Sequence, residues 1–274
     1  MKRSLYCIAV VLAAVLAAPL LVLAAIPQIS MAGSASQSPP LPESGSEIIW
    51  DQTFAASFGV ASQDFVGTAL SAYDVFSADD FTAGEDCHIT AIHVMGMVAM
   101  GSGMSSASAL HWEIYENSQG IPAGYPGGAA PLWSISLPPN DPQVTLVSNN
   151  TGVSLILTTP VSLPPGDYWL VFYPTMDQQW FWATAVTNNL RIAQMINPSL
   201  CFGCGANWVS IQTCAGATNH DLAFRLDGRQ SGVGPFAATD IPTFSQWGMI
   251  FFVLFLAAAS FMVIRRRVMV RQPD

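Results

Sequence analysis

The stretch LPPGDYWLVFY, residues 163–173, decides the fold of this chain. Residues 164–167, PPGD, form a turn, because proline presets one backbone dihedral and glycine adopts conformations that other residues avoid. Residues 168–173, YWLVFY, follow at once and are apolar or aromatic on both faces. A half-buried strand alternates apolar and polar residues, whereas a strand that is covered on both faces does not. The stretch therefore predicts a turn that leads into a central strand.

The flanking sequence is typical of β-structure on both sides of this stretch. Alternation with a period of two recurs in short runs at 90–94, 110–114, 153–157 and 220–226. Turn-forming clusters separate such runs at 117–120, 124–128, 138–141 and 149–152. Roughly ten short strands at this spacing indicate an all-β fold, an antiparallel β-sandwich that is jelly-roll-like. No stretch of this region has the apolar stripe of an amphipathic helix.

Composition divides the 274 residues into a folded middle and special ends. Residues 26–46 form a Ser- and Pro-rich linker, and residues 228–240 form a second linker. The β-sandwich ectodomain is therefore expected at 47–227, which is long enough for one sizeable core.

The charge of the middle region limits its partners. Between residues 26 and 240 there are three basic residues and 17 acidic ones. Such an acidic surface repels phosphate backbones, so we expect no nucleic-acid binding. The acidity suits an exported soluble domain and is compatible with cation binding.

The N-terminus has the pattern of a secretory signal peptide. Lys2 and Arg3 precede an apolar run that continues to residue 25, and small residues follow it. We expect a signal peptide at 1–25, with cleavage as late as residue 36 as an alternative. The apolar run is long for a leader, so an uncleaved N-terminal anchor is the other interpretation.

The C-terminus has the pattern of a membrane anchor. Residues 247–264 carry no charge and would form a helix about 27 Å long, close to the hydrocarbon thickness of a bilayer. A membrane-stop cluster follows it, made of Arg265, Arg266, Arg267 and Arg271. Clustered arginines resist translocation and mark the cytoplasmic side. A buried core helix is the alternative, which the abutting arginines disfavour.

The tail at 241–274 resembles the IPTL-CTERM protein-sorting domain, which is similar to PEP-CTERM tails. Its motif, Ile-Pro-Thr-Leu, two variable residues and Trp-Gly, corresponds here to Ile241, Pro242, Thr243, Phe244, Trp247 and Gly248. Phe244 replaces the usual leucine. The resemblance implies sorting by an exosortase-type membrane enzyme in a Gram-negative envelope. It implies an ectodomain tethered in the periplasm at the inner membrane and then passed to the cell surface or matrix. Residues 163–170, 180–182 and 221–226 also resemble β-sandwich ectodomains that precede such tails.

Four cysteines remain once the leader is removed: Cys87, Cys201, Cys204 and Cys214. An even number of cysteines in an exported domain favours two disulfides, and three connectivities are open. The spacing of Cys201 and Cys204 also occurs in redox and zinc motifs. A redox motif would need a βαβ context, and a zinc site would need a second close pair.

An acidic loop is a candidate calcium site. Asp79, Asp80, Glu85 and Asp86 lie within eight residues and supply the hard oxygen ligands that Ca²⁺ prefers. The spacing is not that of an EF-hand, and a solvated acidic turn is the simpler interpretation. We expect no other cofactor.

Aromatic residues on the strands are candidate sugar-binding residues. Trp169, Tyr173, Trp180 and Trp182 would form a platform that stacks on the C–H face of a pyranose. Core packing is the alternative, since aromatic residues on strands are mostly buried.

Catalytic motifs are missing from the sequence. It contains no Gly-x-Ser-x-Gly elbow and no HExxH helix, and the four histidines are dispersed. We therefore predict a non-enzymatic surface module that binds extracellular polysaccharide. A structural or adhesive protein that acts through protein contacts is the first alternative. A secreted hydrolase with two facing carboxylates is the second.

Overall fold

A computed structural model describes residues 45–53, 55–67, 70–98, 103–147, 150–187, 189–200 and 205–231. The chain divides into the units Met1–Gly232 and Val233–Asp274, and all the described residues belong to the first. The predicted signal peptide, the sorting motif, the helix at 247–264 and the four arginines lie outside the described residues. Within the described ranges, no helix has the length and apolar character needed to cross a bilayer.

Strands dominate the described part of the chain. In chain order they are β1 (Glu47–Asp51), β2 (Ala55–Ala61), β3 (Asp64–Phe65), β4 (Phe76–Ala83), β5 (Cys87–Val94), β6 (Gly96–Val98), β7 (Ala109–Ser118), β8 (Ile121–Pro122), β9 (Trp133–Leu137), β10 (Val144–Val147), β11 (Gly152–Leu163), β12 (Gly166–Met176), β13 (Trp180–Ala185), β14 (Gln194–Ile196), β15 (Val209–Ser210), β16 (Asp221–Leu222) and β17 (Phe224–Gln230). Among the described residues, helical structure is limited to α1 (Ile211–Ala215) and the 3₁₀ turns Ser71–Tyr73 and Gly103–Ser106. The prediction of an all-β domain is confirmed.

The strands form three sheets. The five-stranded sheet has the order β1-β17-β5-β11-β10, and all its pairs are antiparallel. The eight-stranded sheet has the order β15-β14-β4-β12-β7-β8, with β9 also on β7 and β3 parallel to β12. The four-stranded sheet is built around β13, which pairs with β16, β2 and β6.

One hydrophobic core joins the sheets into a sandwich. Leu110, Trp112 and Ile114 of β7 alternate inward and are fully buried, as are Phe224 and Leu226 of β17. These residues belong to one cluster with side chains of β4, β5, β11 and β12. The period of two predicted both inward faces correctly, because successive side chains of a strand point to opposite sides of the sheet.

The predicted central strand is confirmed. β12 pairs with β4 on one side and β7 on the other. Leu170 and Phe172 face the main core, whereas Trp169, Val171 and Tyr173 form a smaller cluster on the outer face of the eight-stranded sheet. Both faces of β12 are therefore covered, which explains its unbroken apolar sequence.

A β-bulge shapes the middle of the five-stranded sheet. The register shifts between Ile156 and Val161 on β11 and between Asp227 and Gly228 on β17. As a result Ile89 and Ile92 of β5, three residues apart, both belong to the core. β17 also continues to Gln230, so the predicted start of the second linker at residue 228 is wrong.

Candidate functional site

The predicted aromatic platform does not form. Trp180 and Trp182 lie in the main core, with ring centroids 6.4 Å apart, and both are fully buried. Trp169 and Tyr173 lie on the other side of the eight-stranded sheet, in the smaller outer cluster. The prediction that these four residues form one stacking surface is wrong, because β13 directs both of its tryptophans inward.

Hydrogen bonds hold the outer aromatic cluster in place. The Tyr173 hydroxyl donates to Glu113 Oε1 at 2.9 Å, and the Tyr115 hydroxyl donates to Glu113 Oε2. Burial, reinforced by Glu113, raises the pKa of both tyrosines. Trp169 Nε1 donates to Asn117 Oδ1 at 3.0 Å. This cluster is a second small core, and its rings are not open to a ligand.

The predicted calcium residues are not brought together. Asp79 and Asp80 lie in β4 and are 1% exposed, whereas Glu85 and Asp86 lie in the exposed turn that follows. Asp79 accepts hydrogen bonds from the side chain of Gln52 and the backbone of Leu222. Within the described ranges, no group of three or more His, Cys, Asp or Glu side chains has an arrangement that could hold a metal ion. The acidic loop is therefore not a single four-carboxylate site.

The environment of Asp79 and Asp80 alters their acidity. Burial, and next the charge of Asp221, raises the pKa of Asp79 well above its ordinary value. Burial also raises the pKa of Asp80 to about 6, although Arg191 opposes this shift through an ion pair of 3.0 Å. Asp79 accepts hydrogen bonds from Gln52 and Leu222, and Asp80 pairs with Arg191. Both carboxyls therefore link β4 to other segments of the chain.

The predicted pair of disulfides needs correction at one cysteine. Cys87 is a free thiol that is 1% exposed and packs in the main core at the start of β5. The prediction that Cys87 is disulfide-bonded is wrong, because its thiol is free and packs among hydrophobic side chains of the core. Cys214 is disulfide-bonded, and its partner is not among the described residues. Cys201 and Cys204 also lie outside them.

The outer face of the five-stranded sheet carries polar residues in two parallel rows. In one row Ser154 of β11, His93 of β5 and Arg225 of β17 are neighbours in register. In the other row the neighbours are Ser162, His88 and Arg229, from the same three strands. In each row the histidine Nδ1 lies 2.8 Å from the serine Oγ. We call these the buried row and the open row.

The buried row is closed by a carboxylate. Asp227 Oδ2 lies 2.9 Å from His93 Nε2, and both Asp227 oxygens accept hydrogen bonds of 2.8 Å from Arg225. Burial alone would raise the pKa of Asp227, but hydrogen bonds from His93 and Arg225 outweigh it, so the pKa falls below its ordinary value. Ser154 is 1% exposed, so this Ser–His–Asp arrangement has no access for a substrate.

The open row lines a cleft of about 530 Å³. The lining residues that the structure describes are Ser46, His88, Thr90, Ile156, Leu157, Pro160, Ser162 and Arg229. Three hydroxyls, one imidazole and one guanidinium thus lie beside an apolar strip from β11. Such a mixture of a few polar groups with apolar walls is typical of small-ligand sites.

Gly228 allows this row to form. A Cβ at Gly228 would lie 2.1 Å from the backbone oxygen of His88 and 2.7 Å from Ile49 Cδ1. Only glycine therefore permits the close approach of β17 to β5 beside Arg229. On the other flank, Arg229 Nε donates to the backbone oxygen of Gly45 at 2.7 Å, which orients the guanidinium.

Sequence reasoning did not find this cleft. His88 and His93 are five residues apart, and a regular strand would place them on opposite faces. The bulge returns both to the outer face. A glycine within the apolar alternation of 222–229 was the available signal, since such a glycine often marks a bulge or a close backbone approach.

Comparison with known proteins identifies no relative. No protein-family model, no curated protein and no solved structure matches the chain.

Proposed function

We propose that this chain is an exported, membrane-tethered surface protein whose β-sandwich binds extracellular polysaccharide without catalysing a reaction. The observation that carries the proposal is the cleft of the open row. Ser46, Thr90 and Ser162 provide hydroxyl partners for sugar hydroxyls. Ile156 and Pro160 provide an apolar surface for the C–H face of a sugar ring.

The lining of the cleft favours binding over hydrolysis. Glycoside hydrolysis generally uses two carboxylates on either side of the scissile bond. Among the lining residues that the structure describes there is no Asp or Glu. A secreted hydrolase that acts in this cleft is therefore the weaker proposal.

The strand order supports a jelly-roll arrangement for this module. The strands β1, β17, β5 and β11 are neighbours in one sheet, and β4, β12, β7 and β9 are neighbours in the other. Apart from β7 and β9, strands of these two sets that follow each other along the chain lie in opposite sheets, as in two interleaved Greek keys. The cleft lies on the outer face of the first layer.

A cleft-filling substitution tests the polysaccharide proposal. Ser162→Trp places an indole in the cleft, and Ser134→Trp places one on the exposed side of β9, away from it. The full chain in detergent is applied to a glycan array and to the exopolysaccharide of its host. We expect S162W to lose binding and S134W to retain it. Absence of binding by the unaltered chain, with and without calcium, would reject the proposal.

The tether is proposed from the resemblance of the tail to IPTL-CTERM domains. The expected partners are the membrane and an exosortase-type enzyme, with transfer from the inner membrane to the surface. Replacement of Trp247 and Gly248 by alanine, or deletion of 265–267, should change processing or retention in cell fractionation. An unchanged distribution of both variants would argue against a sorting signal.

A surface protein that acts through protein contacts is the second candidate function. β1 is the terminal strand of the five-stranded sheet in the described residues, and Ile48 on it is 48% exposed. An edge strand with an exposed apolar residue can pair with another chain. Ile48→Lys would weaken such pairing. Analytical ultracentrifugation should then show a shift from oligomer to monomer if this candidate is correct.

A further inference from the structure

Arg229 is the basic residue of the described domain that lacks a carboxylate partner. The two others are engaged in ion pairs: Arg191 with Asp80 and Asp167, and Arg225 with Asp227. The hydrogen bond from Arg229 Nε to Gly45 leaves both terminal nitrogens without a partner among the described residues. An acidic domain thus keeps one guanidinium available, and this guanidinium lines the cleft.

His88 lies next to Arg229 in the register and presents a second donor. Its Nδ1 is occupied by the Ser162 hydroxyl at 2.8 Å. When that hydroxyl donates to Nδ1, the neutral ring carries its proton on Nε2. His88 Nε2 makes no hydrogen bond to a described residue. The imidazole N–H and the guanidinium can therefore both contact one ligand in the cleft.

This pair of donors selects the chemistry of the ligand. A guanidinium presents a planar pair of N–H groups that matches the two oxygens of a carboxylate. Two acidic residues lie near this pair of donors. Glu47 accepts a hydrogen bond from the backbone of Gln230, which follows Arg229 in the chain. Asp86 is exposed in the turn before His88. Such surroundings repel a densely charged polyanion but admit a single carboxylate on an otherwise neutral sugar chain.

We propose that the cleft binds a carboxylate-bearing saccharide, in which Arg229 pairs with the carboxylate and His88 donates a second hydrogen bond. This inference rests on the proposed polysaccharide function and specifies its ligand class. Ser46 and Thr90 then contact the sugar hydroxyls, and Pro160 contacts the ring.

Titration calorimetry with paired ligands tests the inference. The full chain in detergent is titrated with neutral oligosaccharides that carry a single uronic acid, each beside its methyl ester, which keeps the sugar and removes the charge. We expect the acid to bind at least tenfold more tightly than the ester. Arg229→Gln should abolish that difference, so that acid and ester bind with the same affinity. Inorganic polyphosphate, a dense polyanion, should not bind.

Arg191→Gln is the matched control, because Arg191 lies between β13 and β14, outside the cleft lining, and the substitution removes the same charge. We expect R191Q to keep the preference for the acid, and thermal melting establishes that both variants are folded. The inference would be overturned if the unaltered chain bound acid and ester equally, or if R229Q kept the preference for the acid. In either case the proposed binding of polysaccharide would remain valid. If neither acid, ester nor host polysaccharide binds, the inference and the proposed function both fail.

Discussion

His93 and Asp227 lie 2.9 Å apart, from Nε2 to Oδ2, and their side chains are 1% and 3% exposed. The pair joins β5 to β17, the two strands that also carry His88 and Arg229 of the open row. Arg225 and Ser154 complete the hydrogen bonding around it. A buried charged network of this kind fixes the register of three strands. It therefore positions His88 and Arg229 even though it does not contact the cleft.

Asp227→Asn should strongly destabilise the domain. The substitution removes the buried negative charge that both Arg225 and His93 contact, and breaking a buried ion pair costs about 3–5 kcal/mol. Urea denaturation, followed by tryptophan fluorescence, measures the change. The pKa of Asp227 is lowered, so its contribution is present above pH 3.8 and is lost as pH falls through the lower folded pKa.

Asp167→Asn is the control for this prediction. Asp167 pairs with Arg191 at 2.8 Å, but both side chains are about a third exposed. A partly solvated pair contributes at most about 1 kcal/mol, so D167N should change the unfolding free energy little. Equal losses in D227N and D167N would contradict a structural role for the buried row.

Asp79→Asn should flatten the pH dependence of stability. Because the pKa of Asp79 is raised, the folded state keeps a proton that the unfolded state releases near pH 3.8. Stability from this group is therefore present at low pH and falls as pH rises toward the folded pKa. The contribution of Asp80 has the same sign but ends near pH 6. As pH rises above 3.8, the unaltered chain should therefore lose stability faster than D79N, by at most about 1.4 kcal/mol per pH unit.

Denaturant titrations at fixed ionic strength measure these slopes. Glu85→Gln, in the exposed turn after β4, removes one carboxylate without touching the buried group. E85Q should follow the slope of the unaltered chain. A D79N slope identical to that of E85Q would mean that Asp79 does not hold a proton in the folded state.

The sequence predicted those features that depend on alternation alone. The inward faces of β7 and β17 and the double burial of β12 follow from where apolar residues recur. The cleft could not be predicted in this way, because it depends on the bulge that brings His88 and His93 to one face. The prediction of an aromatic platform failed for a related reason. A tryptophan on a strand has the same local pattern whether it faces a core, as Trp182 does, or a ligand.

Cys87 should be unreactive in the folded protein and should form no disulfide. Its side chain is buried, and burial raises the pKa of its thiol, which lowers the thiolate fraction that reacts. The measurement is peptide mapping by mass spectrometry after alkylation without reductant, with and without denaturant. The Cys87 peptide should be alkylated only in denaturant, and Cys87→Ala should leave the disulfide of Cys214 intact. Detection of a Cys87 peptide linked to another cysteine would contradict the structure.

Trp182→Phe should cost more stability than Trp112→Phe. Both indoles are fully buried, and both substitutions remove the same atoms, so the packing losses are comparable. Trp182 Nε1 donates to the backbone oxygen of Ala223 at 3.0 Å, whereas the buried Trp112 Nε1 has no hydrogen-bond partner among the described residues. Loss of a satisfied donor weakens the fold, but removal of an unsatisfied donor relieves a desolvation cost.

We expect the two variants to differ by about 1–3 kcal/mol in unfolding free energy, measured by urea denaturation. Equal losses would show that Trp112 Nε1 is satisfied in solution. The same proteins also test the discarded aromatic platform, because Trp182 lies in the main core and away from the cleft lining. Folded W182F should bind polysaccharide as the unaltered chain does. If W182F lost binding and W112F did not, Trp182 would belong to the binding surface. That result would contradict its place in the core.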